Sequence, residues 1–202
     1  SAMIDGRARE VLARMERQDA GERERNVARA VRLRQIMPDV GRLLHTLVLA
    51  ARPRAIIEIG TSGGYSTIWL ATAARDVGAS VTTLEIDPVK VRLANANLHA
   101  AGVDDVATIT EGDAFAYLRT HVEPVDFVFL DAEKEDYLAF FELIVPLLAP
   151  GGVLVADNLL SHAGDLAPFR DRALAHPQLS ALVVPVGRGE LLAVKLGGPA
   201  RA

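Results

Sequence analysis

The chain has 202 residues, 50% of them hydrophobic and 24% charged, with a formal net charge of −4 and no cysteine. One globular domain of ordinary size is expected, and disulfides, thiolate catalysis and cysteinyl metal sites are excluded together. No run approaches the ~18 apolar residues of a membrane span, so no membrane partner is expected, and the lack of cysteine is compatible with a cytoplasmic location.

Ser1-Ala2-Met3 reads as an expression remnant ahead of the natural start, and no secretory signal is visible. Ile4, Ala8, Val11, Leu12 and Met15 recur at helical spacing, which predicts an amphipathic front helix interrupted at Gly21. Residues 1–34 carry nine arginines against six acids. Because the arginines alternate with Glu10, Glu16, Glu22 and Glu24, they read as a solvated helix face or a subunit contact, and no nucleic acid is expected. A second helix is predicted from Asn26 to Ile36, ended by Pro38, and a third from Val40 to Ala51, stopped before Pro53.

From there the pattern alternates. Strands are predicted at Ala55–Ile59, Ser80–Ile86, Val106–Thr110, Val125–Leu130 and Val153–Ala156, separated by helices at Tyr65–Arg75, Pro88–Ala101, Ala114–Arg119 and Leu138–Leu148 and followed by one at Leu166–His176. Ala181–Val186 and Leu191–Leu196 flank the turn Gly187-Arg188-Gly189-Glu190 and read as a hairpin. The expected fold is α/β, a doubly wound and mostly parallel sheet with an antiparallel element at one edge. Residues 1–36 form the N-terminal helical segment of a single domain, and 37–196 its core.

Three apolar runs end abruptly in glycine or oxygen-bearing side chains: Ile57-Glu58-Ile59-Gly60-Thr61-Ser62-Gly63-Gly64-Tyr65-Ser66, Val128-Phe129-Leu130-Asp131 and Leu154-Val155-Ala156-Asp157-Asn158. In a parallel α/β sheet this puts the polar groups at the carboxyl edge, where ligands bind. The glycine turn after the first strand presents backbone amides at a helix start, yet its spacing is neither that of a dinucleotide fold nor that of a Walker loop. Glu85, 25 residues beyond Gly60 at the end of the second strand, is placed to take both hydroxyls of a ribose. Glu111-Gly112-Asp113-Ala114 lies across the same edge, where Asp113 or the backbone of Ala114 would hold an adenine. These features suggest an adenosine ligand without a pyrophosphate.

Asp131 and the pair Asp157-Asn158 end neighbouring strands and offer three oxygen ligands within a few ångströms. An all-oxygen set suits Mg²⁺, and Mn²⁺ or Ca²⁺ would also fit.

Glu58 to Ser66, Leu84-Glu85-Ile86-Asp87, the run Leu130 to Tyr137 and Ala156-Asp157-Asn158 together resemble the S-adenosylmethionine-dependent O-methyltransferases of the catechol and caffeoyl-CoA type, over about residues 35–196. The resemblance implies a Rossmann-like class I methyltransferase sheet of seven strands with the last antiparallel. It implies S-adenosylmethionine as cofactor, a small hydroxylated acceptor such as a catechol, and a homodimer as the common assembly. Glu58, Gly60, Ser62, Tyr65 and Ser66 would surround the methionine part of the cofactor, Glu85 its ribose, and Asp113 and Ala114 its adenine. Met37 falls where family members cover the methyl group, and Asp131, Asp157 and Asn158 match the divalent-metal ligands. Asp131 would also touch the cofactor, and Lys134 would act beside it as general base.

The segment Leu159 to Ser180 is brief where relatives often carry a longer substrate loop, and no aromatic wall for a flat ring is evident near it or near the front of the chain. The acceptor is therefore open among a catechol, a caffeoyl-type phenol and a hydroxylated natural-product intermediate. Three other classes share some features: a nicotinamide dehydrogenase, a cofactor-binding protein with a regulatory or assembly role, and a metal-independent methyltransferase.

Overall fold

The computed structural model describes residues 4–26 and 35–197. Helices α1 (Gly6–Glu24) and α2 (Pro38–Ala51) precede a run of β1 (Ala55–Ile59), α3 (Tyr65–Val77), β2 (Ser80–Glu85), α4 (Pro88–Ala101), β3 (Ala107–Glu111), α5 (Ala114–Thr120) and β4 (Val125–Leu130). After a single 3₁₀ turn at Lys134–Asp136 follow α6 (Tyr137–Leu147), β5 (Leu148–Ala156), α7 (Ala167–Leu174), β6 (Leu179–Val184) and β7 (Glu190–Lys195). The seven strands form one sheet in the order β3-β2-β1-β4-β5-β7-β6. Only β7 runs against its neighbours: β1 to β5 pair in parallel, and β7 pairs antiparallel with both β5 and β6. This is the expected doubly wound sheet.

Side-chain alternation divides the core into two layers. Ile56, Val81, Phe127, Phe129, Val153 and Val155 face α1 to α4, whereas Ile57, Leu84, Val128, Leu130 and Leu154 face α5 to α7. The strands are apolar on both faces because helices cover both. On the first layer α2 and α3 approach closely at Gly41, where an added Cβ would stand 2.3 Å from Trp69 Nε1. That contact explains a glycine inside a helix, which otherwise costs about 1 kcal/mol relative to alanine.

Several boundaries differ from expectation. Helix α1 runs through Gly21 without a break, its apolar stripe Ala8, Val11, Leu12 and Met15 buried on this chain's own α3 and α4 layer. Most of the helix expected at Asn26–Ile36 lies outside the described residues; Asn26 is in a turn, and Gln35 and Ile36 are not helical. Pro38 opens a helix instead of closing one, since a first-turn residue needs no donor N–H. Strand β5 begins at Leu148, where α6 was expected to end, and continues through Gly151-Gly152. No helix among the described residues is long and apolar enough to cross a membrane.

Candidate active site

The sheet register sets the site. Ile59 of β1 pairs with Leu130 of β4, and Leu130 with Ala156 of β5, so the next residues, Gly60, Asp131 and Asp157, emerge side by side at the carboxyl edge. Backbone bonds continue one step past the strands: Asp131 N–H donates to Ile59 O at 3.0 Å and Asp157 N–H to Leu130 O at 3.1 Å. Gly60 adopts φ +102°, and a Cβ there would lie 2.1 Å from Asp131 O, so only glycine lets the turn pass this close to the end of β4.

A cavity of about 540 Å³ opens along this edge. Among the residues identified from sequence, Gly60, Ser62, Glu85, Asp113, Ala114, Asp131, Lys134 and Asn158 line it. A separate pocket of about 10 Å³ behind the glycine turn is lined by Tyr65 and Ser66, together with Gly60, Ser62 and Asp131, which border both spaces. Glu58, Asp157 and Met37 line neither space. Glu58 and Asp157 are buried, and Met37 is a half-exposed residue just before α2.

Glu85 ties the turn to β2. Its Oε2 accepts from Ser62 N–H at 2.8 Å, while Oε1 accepts from the Ile86 and Asp87 amides at 3.1 and 3.0 Å. Asp113 caps α5 through Phe115 N–H at 2.9 Å. Glu58 is fully buried on the α3 side of β1 and accepts from the hydroxyls of Ser66, Thr67 and Thr83. Burial pushes its carboxyl up to about 7, opposed by these three hydrogen bonds and reinforced by the charge of Asp131.

At the other end the oxygens crowd. Asp131 Oδ1 accepts from Asn158 Nδ2 at 3.0 Å and faces Lys134 Nζ at 3.4 Å. Lys134 Nζ also donates to Ala132 O at 2.9 Å and approaches Tyr137 Oη at 3.2 Å. Tyr137 is buried and donates to Asp157 O at 3.0 Å, so it anchors the corner, as its place at the start of α6 suggests. Asn158 takes a left-handed φ of 76°, which turns its amide across to Asp131.

Glu190 is a residue that sequence reasoning passed over as part of a turn. Because Ala156 pairs with Leu191, the antiparallel register sets Glu190 opposite Asp157. Its carboxyl is buried without a well-formed hydrogen bond, and burial, followed by the adjoining Asp157 charge, drives it up to about 11. Asp157 is likewise raised, first by burial and then by Asp131. The signal was a lone acid opening the apolar strand Leu191-Leu192-Ala193-Val194. Phe115 and Phe140, stacked with centroids 4.0 Å apart, put an aromatic wall on the cavity from α5 and α6, away from the segments where sequence reasoning looked for one.

Among the described residues no three His, Cys, Asp or Glu side chains form a metal cluster. The candidate donors contain only two carboxylates, with Asn158 as the third. Their chemistry fits a hard divalent cation: Asp157 and Glu190 are both pushed up, first by burial and then by neighbouring carboxylate charge, which a cation would offset. Asn158 would present Oδ1 after rotation of its amide, an assignment that follows hydrogen-bond partners.

Residues 57–159 match the family described as Methyltransferase domain. The chain is 41% identical over 132 residues to a catechol O-methyltransferase of Mycobacterium tuberculosis, an alignment covering 65% of this chain and 60% of the relative. Among solved structures it is similar to an O-methyltransferase from Bacillus cereus in complex with SAH, at 30% identity and TM-score 0.77, with 92% of this chain and 90% of that one covered. The O-methyltransferase TomG from Streptomyces achromogenes, solved in complex with SAM, gives 28% identity and TM-score 0.77 over 93% and 90% of the two chains.

Proposed function

The chain belongs to the S-adenosylmethionine-dependent O-methyltransferase family, and we propose that it transfers the methyl group of S-adenosylmethionine to a hydroxyl of a catechol-like, vicinal-dihydroxy small molecule with help from a divalent cation. The observation that carries this reading is the shared cavity edge, where the glycine turn and Glu85 adjoin Asp131, Lys134 and Asn158.

In this reading Glu85 accepts hydrogen bonds from the ribose hydroxyls with the acceptor capacity left beyond its three amide bonds. Asp113 and Ala114 border the adenine, and Ser62, Tyr65 and Ser66 the methionine end, with Glu58 bonded to Ser66; Met37, which lines neither space, takes no part in this reading. Asp131, Asp157 and Asn158 would hold the cation, Mg²⁺ by preference. A cation bound there would acidify a coordinated hydroxyl and fix which oxygen faces the methyl donor.

Lys134, after losing a proton to solvent to become the neutral amine, takes the proton from the acceptor hydroxyl at Nζ. The freed oxygen attacks the sulfonium methyl in line, a C–O bond forms as the C–S bond breaks, and the electron pair returns to sulfur to give S-adenosylhomocysteine. Beyond that proton transfer the protein supplies alignment and exclusion of water, since the sulfonium donor arrives activated. Phe115 and Phe140 give a flat ring an apolar wall.

Methyl transfer to catechol, assayed with Mg²⁺ and with excess chelator, tests the reading. Turnover with metal that collapses in chelator is expected. Undiminished turnover in chelator would favour metal-independent transfer. Cofactor binding without transfer to any dihydroxy acceptor would leave a cofactor-binding protein instead.

A further inference from the structure

Helix α1 lies outside the sheet, yet two polar chains run from it to the glycine turn. In the first, Arg14 Nη2 donates to Asn97 Oδ1 at 2.7 Å, and Asn97 Nδ2 donates to Gly63 O at 2.8 Å. Asn97, on α4, is buried, so one amide receives the guanidinium of α1 and holds a carbonyl of the turn. In the second, Tyr65 Oη donates to Glu16 Oε1 at 2.7 Å, and Tyr65 is the buried first residue of α3, directly after the turn.

Helical geometry explains the pairing. Ala8, Val11, Leu12 and Met15 form the buried stripe of α1, and at about 100° per residue Arg14 and Glu16 fall on either flank of it. The apolar stripe seats the helix, and the flanking residues reach inward on opposite sides. Arg7 Nη2 adds a bond to His99 O at 3.1 Å near the far end of α4, fixing the helix lengthwise.

The turn has reason to need holding. Ser62 adopts a left-handed φ of 48° and Gly64 one of 87°. A non-glycine residue in that region carries a conformational cost that surrounding contacts must offset. Glu85 fixes the turn at Ser62 from the cavity side, while α1 fixes it at Gly63 and Tyr65 from behind.

We propose that α1 is a positioning element of the cofactor site: Arg14 and Glu16, acting through Asn97 and Tyr65, hold the glycine turn in its ligand-ready shape without touching ligand. This rests on the reading of the turn as the cofactor site, and the test separates the two. The full chain carrying Arg14→Ala and Glu16→Ala is compared with wild type by titration calorimetry with S-adenosylhomocysteine, by amide hydrogen exchange over residues 60–66 and by thermal melting.

Loss of both chains should weaken S-adenosylhomocysteine binding about tenfold, equivalent to ~1.4 kcal/mol. Exchange at Gly63 to Tyr65 should quicken, and kcat at saturating cofactor should stay within about twofold. Glu16→Gln alone keeps an acceptor for Tyr65 Oη and should stay near wild type, whereas Glu16→Ala alone should not. Unchanged affinity and unchanged exchange in the double variant would overturn the proposal, as would a lower melting temperature with unchanged affinity, which marks a structural role only. If the wild type binds no S-adenosylhomocysteine while exchange at the turn still responds to the double variant, the cofactor reading fails and the grip of α1 on the turn stands.

Discussion

The two ends of the cavity solve opposite electrostatic problems. At the glycine turn every acid is met by donors of the protein itself: Glu85 takes three backbone amides and Glu58 three hydroxyls. At the β4, β5 and β7 edge Asp157 and Glu190 are buried beside one another with their carboxyls pushed up by burial and nearby charge, and Lys134 faces Asp131. A site with its hydrogen bonds in place is stable when empty and binds by shape. A site whose buried acids lack such donors has more to gain from what it binds.

Variants on the crowded side should therefore give the largest effects on turnover and leave the other end alone. Asp157→Ala is expected to lower metal-dependent kcat/KM by about three orders of magnitude, with S-adenosylhomocysteine affinity nearly unchanged by calorimetry. Equal losses in both would erase the distinction between the two ends. Lys134→Ala should reduce kcat about a hundredfold at neutral pH, with partial recovery as pH rises and hydroxide or water replaces the base. A pH profile parallel to wild type would remove the general-base role.

Variants on the satisfied side should act on affinity. Glu85→Ala is expected to weaken cofactor binding by about ten- to a hundredfold, because hydrogen bonds to a charged partner disappear and Ser62 N–H loses its acceptor. A shift confined to kcat would contradict this.

The smallest effect on chemistry belongs to Glu58, whose signature is in stability. Its carboxyl titrates near 7 in the fold against 4.5 unfolded, so between these values the folded state binds the extra proton. Stability from this group is complete below pH 4.5 and falls as pH rises through 7, by up to ~3 kcal/mol. Melting temperature measured across that window should decline in wild type and decline less in Glu58→Gln. A wild-type curve that rises with pH through the window would reverse the assigned direction.

The alternation of strand and helix was readable in the chain because buried parallel strands are short apolar runs and proline and glycine punctuate them. Asp131 and Asp157 were recognisable as edge residues for the same reason: each follows an uninterrupted apolar run. Pro38 was misread because proline ends one helix and begins another with equal ease, and only the neighbouring packing decides between them. Gly21 was misread because the ~1 kcal/mol cost of an isolated glycine is offset in a helix held by a buried stripe. Glu190 was hidden by its turn; its importance comes from a register between β5 and β7 that local pattern does not encode. Phe115 and Phe140 come together from separate helices, and nothing in either segment announces the other.

The central claim is that the β4 and β5 edge binds one divalent cation to which the acceptor is presented. Titration of Mn²⁺ into the protein, followed by electron paramagnetic resonance and repeated with catechol present, tests it most directly. One tight site per chain, perturbed by catechol and lost in Asp131→Ala and Asp157→Ala, is the predicted result. Binding that is absent at millimolar Mn²⁺, or that survives both substitutions unchanged, would contradict the account.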